Sequence, residues 1–250
     1  MTPSIDLPPD QVHLWCAFTE ALRDPSLLAR YRRLLDDDEC RREERLRIPD
    51  DRQRYVITRA LVRTLLSRYA PRAPQEWAFE ANSHGRPHIA NVEGLARGLV
   101  FNVSHTRGLV VLAISRERAL GVDVEHQDRS VSPGVLERFF APAEASAIRA
   151  LPVEQQGRRL LQHWTLKEAY IKARGMGLAI AVRQVSFDLT SDERIGFATS
   201  PTVDDDPQRW RFWQPQVGEY VVAVCAEGAV QLVTRRVGPF TRPPSQSISQ

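Results

Sequence analysis

The chain has 250 residues, 42% of them apolar, enough to bury a full core as one large domain or two small ones, which excludes a disordered tail. Lys and Arg number 34 against 31 Asp and Glu, a net charge of +3 with the signs interspersed, and this favours an anionic ligand or acidic partner over a nucleic-acid coat. Cys16, Cys40 and Cys225 form neither a disulfide framework nor a CxxC pair, no apolar run reaches the roughly 18 residues that span a bilayer, and residues 1–6 lack the features of a signal peptide, so a cytoplasmic protein is expected.

Residues 11–18 alternate, with Val12, Leu14, Cys16 and Phe18 on one side, the period of a half-buried strand. Between 50 and 69, Ile57, Ala60, Leu61, Leu65 and Tyr69 recur at helical spacing while Arg54, Arg59, Arg63 and Arg68 take other faces; Asp50 and Asp51 suit the N-terminal end of that amphipathic helix. Past Pro71 and Pro74, strands are predicted near 77–79, 99–103, 109–114 and 120–125, the last two joined as a hairpin by the polar turn 115–118. From Val135 the pattern is helical through Leu160 to Ala173, where Gly175 and Gly177 stop it. Strands follow near 185–189, 210–213, 220–225 and 230–234, and the Pro/Ser/Gln-rich residues 239–250 read as disordered. Helices followed by antiparallel strands occur twice. The prediction is an α+β fold of two similar pseudo-symmetric halves, 1–117 and 118–236, with a tail from 237 and the active site in the cleft between the halves.

Arginine supplies 32 of the 34 basic residues, and the two lysines, Lys167 and Lys172, both fall in Trp164-Thr165-Leu166-Lys167-Glu168-Ala169-Tyr170-Ile171-Lys172. Lys is a compact point charge on a flexible stem and Arg a planar fork, so two lysines retained against such a bias indicate that an ammonium is needed there. Glu168 and Lys172, at i and i+4, share one helix face. Asp123 and Glu125, at i and i+2, project from one face of a strand while Val122 and Val124 enter the core on the other. Together with Glu168 they offer three hard oxygen donors, a set that magnesium takes alongside substrate phosphate oxygens. A bare Asp-x-Glu is common, and its alternative reading is a solvated strand end. Ser104-His105 closes the strand that begins at Phe101, and His84-Gly85-Arg86-Pro87 sets a cation suited to phosphate beside a flexible residue, although Gly-Arg-Pro is ordinarily just a turn. His84 and His88 have helical spacing, but Gly85 and Pro87 argue against the helix that would aim both at zinc.

Together these residues resemble the 4′-phosphopantetheinyl transferases, of the monomeric type that activates peptide synthetases. The resemblance runs from about Leu34 to Cys225. It is carried by Gly121-Val122-Asp123-Val124-Glu125 followed, 41 residues after Asp123, by the segment that starts at Trp164. Gly85-Arg86-Pro87, where the family more often has Gly-Lys-Pro, Asn102-Val103-Ser104-His105, and Phe139-Phe140 with Glu144 downstream support it. The resemblance implies a holo-[acyl-carrier-protein] synthase. Such an enzyme moves the 4′-phosphopantetheine of coenzyme A to a serine of an apo acyl or peptidyl carrier protein, requires Mg²⁺ and releases 3′,5′-ADP. It further implies that Asp123, Glu125 and Glu168 hold the metal, that Glu168 takes the serine proton, and that Lys172 meets the attacked phosphoryl group. Arg86 and His105 would hold the 3′-phosphate end, with Arg42, Gly85, Asn102, Ser104, Asp123 and Lys167 among the other coenzyme A contacts. Phosphoryl transfer asks a protein mainly to position the substrates and spread charge, which these residue types suit.

Carrier proteins are generally acidic, so the mildly basic surface with Leu136, Phe139 and Phe140 is the expected docking region. A monomer with neither nucleic-acid nor membrane partners is implied. The alternatives are a magnesium-dependent phosphohydrolase, with water in place of the serine, and an arginine-rich nucleic-acid-binding module, for which no basic run interleaved with stacking aromatics is present.

Overall fold

The alternating segment at the start of the chain forms β1 (Gln11–Phe18), but it is buried on both faces rather than one. Val12, Leu14 and Cys16 enter one apolar cluster and Trp15 and Ala17 another, because β1 lies inside a sheet with helices on one side and a second sheet on the other. The structure is a computed structural model and describes residues 5–131, 134–177, 182–190 and 195–237.

After β1 come α1 (Pro25–Arg32), α2 (Asp37–Arg45) and α3 (Pro49–Leu66), then the short pair β2 (Phe79–Ala81) and β3 (Pro87–Ile89), and the long strands β4 (Leu99–Thr106) and β5 (Leu109–Arg116). The second half repeats this order. It runs β6 (Leu120–His126), α4 (Val135–Phe139), α5 (Pro142–Arg149), α6 (Val153–Arg174), the pair β7 (Val185–Asp188) and β8 (Gly196–Thr199), then β9 (Trp210–Trp213), β10 (Gln216–Val217) and β11 (Tyr220–Glu227). The sheets correspond: β1-β5-β4 in the first and β6-β11-β9 in the second, all antiparallel. β12 (Gln231–Arg236) breaks the symmetry by returning to pair in parallel with β1, Gln11 opposite Gln231, so the end of the second half completes the sheet of the first.

The layers follow from which faces are apolar. α3 packs Ile57, Leu61 and Leu65 on the Trp15, Phe101, Leu112 face of the first sheet. Val12, Leu14, Val111 and Ala113 meet Val122, Val124, Val222 and Val224 between the sheets. On the outer face of the second sheet Leu166, Tyr170 and Ala173 of α6 meet Ala223 and Cys225.

Three sequence expectations are corrected. β5 and β6 are not a hairpin: β5 pairs with β1 and β4 and β6 pairs with β11, so residues 117–119 carry the chain from one sheet to the other. The helical stretch from Val135 is three helices, interrupted where Pro142 and Pro152 start new ones. The strand expected at 77–79 begins at Phe79, with Trp77 buried ahead of it, and the short strands β3, β8 and β10 lacked a periodic signal. Residues 239–250 lie outside the described residues.

Two glycines place α6. Gly175, at φ +65°, closes the helix, its N–H bonded to the Ile171 carbonyl. At Gly121 the strand and helix backbones meet, and a Cβ there would lie 2.0 Å from the Ala169 carbonyl oxygen and 2.5 Å from the Ala173 nitrogen. Only a glycine lets β6 lie this close under the last turns of α6.

Candidate active site

That close approach sets Glu168 and Lys172 above the residue two places along the strand, Asp123. The Lys172 ammonium donates to Asp123 Oδ1 at 2.6 Å, to Ser104 Oγ at 3.0 Å and to the Val122 carbonyl at 3.1 Å. Ser104 reaches in from β4 and donates its hydroxyl to the same Oδ1 at 2.9 Å. Asn102, two residues earlier on that face of β4, accepts the Val122 N–H at 2.9 Å and fixes β4 beside β6. Asn102 is buried, and through its side-chain oxygen it acts as a strut between the two strands.

Asp123 is 5% exposed, and its Oδ2 is buried without a hydrogen-bond partner. Glu168 lies close by: burial raises its pKa, the Asp123 charge raises it further, and Lys172 and Arg129 oppose the rise. The third expected metal ligand is not drawn in. Glu125 is ion-paired with Arg129, whose guanidinium also stands 5.6 Å over the Trp164 ring. Among the described residues no three His, Cys, Asp or Glu side chains form a metal-binding group. The reason is electrostatic: neighbouring carboxylates repel, and here two of them have found internal cations, Lys172 and Arg129. The donor chemistry still fits a hard divalent ion, since Asp123 Oδ2 is orphaned and the charge of Asp123 acts on the buried Glu168 carboxyl close by.

Ser104 and His105 are adjacent in sequence and point to opposite sides of β4. His105 is solvent-accessible but lies in a concave part of the surface beside α3: desolvation by the surrounding protein lowers its pKa, and the Arg54 charge lowers it further. Arg54, ion-paired to Asp51 one turn earlier, is thus a second cation at this end of the site. Arg42 is exposed on α2, where its charge reaches Tyr55. Arg86, expected on the 3′-phosphate, is turned to the backbone: Nη1 donates to the Ala173 carbonyl at 2.8 Å and Nη2 to the Leu120 carbonyl at 3.0 Å. Gly85 lies in the turn before it, bonded through its N–H to the Asn82 carbonyl.

Lys167 does not join the group. It faces the opposite side of α6 with 0% exposure, ion-paired to Glu144 at 2.8 Å and donating to the Val182 and Val185 carbonyls. Phe140 is likewise core, packed with Ala145 and Ile148, while Leu136 and Phe139 are only partly buried.

Sequence reasoning missed Arg129 and Asn82, and it named Arg54 and Glu144 without giving them a role. Arg129 had a signal, its i, i+4 offset from Glu125; Asn82 had none, because its partner Gly175 is 93 residues away. A concavity of about 1180 Å³ lies elsewhere, bounded by Arg158 and Gln162 of α6, Trp213 and Gln216, and Leu232 of β12, with none of the carboxylates in its lining.

The model of the 4′-phosphopantetheinyl transferase superfamily matches residues 119–225, and that of the 4′-phosphopantetheinyl transferase N-terminal region matches 24–117. The 4′-phosphopantetheinyl transferase HetI of Nostoc is 32% identical over 200 residues, covering 80% of this chain and 83% of that protein. The 4′-phosphopantetheinyl transferase Sfp of Bacillus subtilis is 26% identical over 177 residues, covering 71% of this chain and 75% of its own.

Proposed function

The chain belongs to the 4′-phosphopantetheinyl transferase superfamily and is an enzyme that transfers phosphopantetheine from coenzyme A to carrier proteins, and we propose that the transfer takes place at Asp123, Glu168 and Lys172. The observation that carries this assignment is the orphaned Asp123 Oδ2, with a lysine ammonium already on Oδ1 and the Glu168 carboxyl near enough for the Asp123 charge to raise its pKa. The relatives give no support to the phosphohydrolase or nucleic-acid readings. No helix among the described residues is long and apolar enough to cross a membrane.

Glu168 is the base. Its burial raises its pKa, which makes it a stronger proton acceptor for the carrier serine once ionised. Lys172 holds the Asp123 carboxylate in place and, being partly exposed, can trade one of its present acceptors for an oxygen of the attacked phosphoryl group. Arg54 and Arg42 supply the cationic end for the 3′-phosphate and pyrophosphate, and His105, its pKa lowered, supplies a ring N–H donor beside them. Asp123 and Glu168 would hold Mg²⁺, with Glu125 available as a third donor if freed from Arg129, and the ion would supply neutralisation of charge on the pyrophosphate. Both walls of this site, Ser104 of β4 and Asp123 of β6, come from one chain, in keeping with action as a monomer.

The test is to incubate the protein with coenzyme A, Mg²⁺ and apo forms of acyl and peptidyl carriers and weigh the products. Transfer adds about 340 Da to one carrier serine and releases 3′,5′-ADP. Transfer that survives complete removal of divalent ions refutes the metal role, and loss of coenzyme A without any carrier gain refutes the acceptor.

A further inference from the structure

We propose that Arg86 is a positioning residue that caps the C-terminal end of α6 from the other half of the molecule and so sets the place of Lys172 over Asp123. This rests on the transferase reading above only for what Lys172 does; the cap itself is geometric.

The last carbonyls of a helix have no partners within it and carry partial negative charge, so a cation with hydrogen-bond donors is well matched to them. α6 receives two such donors from the turn between β2 and β3. Asn82 organises that turn by accepting the N–H groups of His84 and Arg86, both at 2.9 Å, and its own amide donates to the Gly175 carbonyl at 2.8 Å. Arg86 then takes the Ala173 carbonyl with Nη1 and the Leu120 carbonyl with Nη2. The side chain is close against the end of the helix: a Cβ built on Gly175 would lie 3.0 Å from Arg86 Cδ and 3.1 Å from Nη1.

The two carbonyls belong to the two elements whose separation decides the site. Ala173 follows Lys172, and Leu120 precedes Gly121, where helix and strand backbones touch. Arg86 therefore staples α6 to β6 at their crossing, one residue from the lysine whose ammonium meets Asp123 Oδ1 at 2.6 Å. A planar fork can hold two carbonyls on different elements at a fixed separation, a task unlike that of gripping a phosphate. The first half of the molecule thereby controls catalytic geometry in the second without its arginine touching the substrate.

The experiment compares Arg86→Gln, Arg86→Ala and Asn82→Ala with His105→Ala, using coenzyme A and 3′-dephospho-coenzyme A as donors. It reads kcat, KM and, by mass spectrometry, backbone amide exchange over residues 168–175. For Arg86→Gln the expected result is a fall in kcat of about tenfold, less than the ~100-fold that a 1 Å misplacement can cost, with KM for coenzyme A nearly unchanged. Its preference for coenzyme A over the dephospho donor stays at the parent value, and exchange at the end of α6 speeds up beyond that of the rest of the protein. Asn82→Ala shifts the same quantities in the same direction by less. His105→Ala does the reverse, losing the preference and raising KM. The proposal is overturned if Arg86→Gln loses the preference while keeping kcat, which makes Arg86 a phosphate contact, or if α6 exchange is unchanged. Should Arg86→Ala fail to fold, Arg86→Gln and Asn82→Ala decide the matter. A parent protein that modifies no carrier refutes the transferase reading, and the exchange measurement still judges the cap.

Discussion

Lys167→Met tests whether one of the two lysines in this chain is there for the core. The residue is 0% exposed, and its ammonium serves Glu144 at 2.8 Å, the Val185 carbonyl at 2.5 Å and the Val182 carbonyl at 3.1 Å. Glu144 in turn accepts the N–H groups of Ala141 at 2.8 Å and Phe187 at 2.9 Å, and His163 stands 3.3 Å away. Burial works against both charges, lowering the Lys167 pKa against the pull of Glu144. The Glu144 carboxyl ends below its ordinary value because contacts with His163, Lys167 and the Phe187 N–H outweigh its burial. Methionine keeps the length of the stem and deletes the charge, which leaves a carboxylate in the core without its cation. Removing one partner of a buried pair costs about 3–5 kcal/mol. At roughly 2–4 °C per kcal/mol for a chain of this size, the melting temperature falls by roughly 6–20 °C. Thermal and urea unfolding of Lys167→Met, Glu144→Gln and the double variant measure it, and the double variant should lose less than the sum of the singles by at least about 1.5 kcal/mol. Melting of Lys167→Met within about 2 °C of the parent, or additive single effects, would show that the network contributes nothing.

Glu168→Gln is expected to abolish transfer nearly completely while coenzyme A binding, read by calorimetry, stays within about tenfold, since the cations around the nucleotide remain; complete loss of binding refutes that division of roles. Gly121→Ala forces the α6 and β6 backbones apart, with an expected stability loss of at least about 3 kcal/mol and loss of transfer; parent-like turnover would mean that the crossing tolerates a shift. His13 gives a pH signature. Tyr69 Oη accepts the Trp15 Nε1–H at 2.7 Å and lies 2.8 Å from His13 Nδ1; a neutral ring with its proton on Nε2, 3.2 Å from Gln11 Oε1, accepts the Tyr69 hydroxyl there. Burial, with the Arg235 charge, lowers the His13 pKa to about 4 from 6.5. The unfolded chain then binds a proton that the folded one refuses, so this contribution is full above pH 6.5 and is lost as pH falls to 4, up to about 3 kcal/mol. His13→Gln should remove that part of the slope in urea midpoints taken across the window, and equal slopes in parent and variant would refute it.

The long elements were legible because apolar residues recur periodically in their sequence, although β1 is buried on both faces. β1 was read to the residue and α3 nearly so, since each places apolar side chains on a core whose position needs no knowledge of the partner. Pairing was not legible. The turn 115–118 has hairpin composition, yet β5 and β6 each found a better-matched neighbour in sequence-distant strands, and the turn became the crossing between sheets. In the site, the residues at short sequence spacing, Glu168 with Lys172 and Asp123 with Glu125, could be placed on shared faces from the period alone. What each cation does depends on which carbonyl or carboxylate comes to it from elsewhere. Arg86 meets the end of a helix 87 residues away, a choice not written in local composition, whereas Arg129 takes up Glu125 at an i, i+4 offset that is local.

The rarity of lysine has a common cause at its two positions, although only one lies in the active site. Each ammonium faces three acceptors from different elements: Ser104 Oγ, Val122 O and Asp123 Oδ1 for Lys172; Val182 O, Val185 O and Glu144 for Lys167. Three converging acceptors match the three N–H bonds of a tetrahedral ammonium, which radiate from one atom. A guanidinium spreads its donors in a plane and has a different match, two carbonyls side by side, which is how Arg86 is used. The acceptor geometry, more than the charge, therefore separates the positions where this chain retains lysine from those where arginine serves. Lys172→Arg should accordingly lose at least about tenfold in turnover, near 1.4 kcal/mol of transition-state stabilisation, because the fork cannot hold Ser104, Val122 and Asp123 together. Lys167→Arg should instead lose stability, about 1–3 kcal/mol from overpacking a closed site. Steady-state transfer kinetics and melting curves on the two variants separate these outcomes, and a Lys172→Arg enzyme that modifies carrier at the parent rate would reduce the retained lysines to an accident of coding.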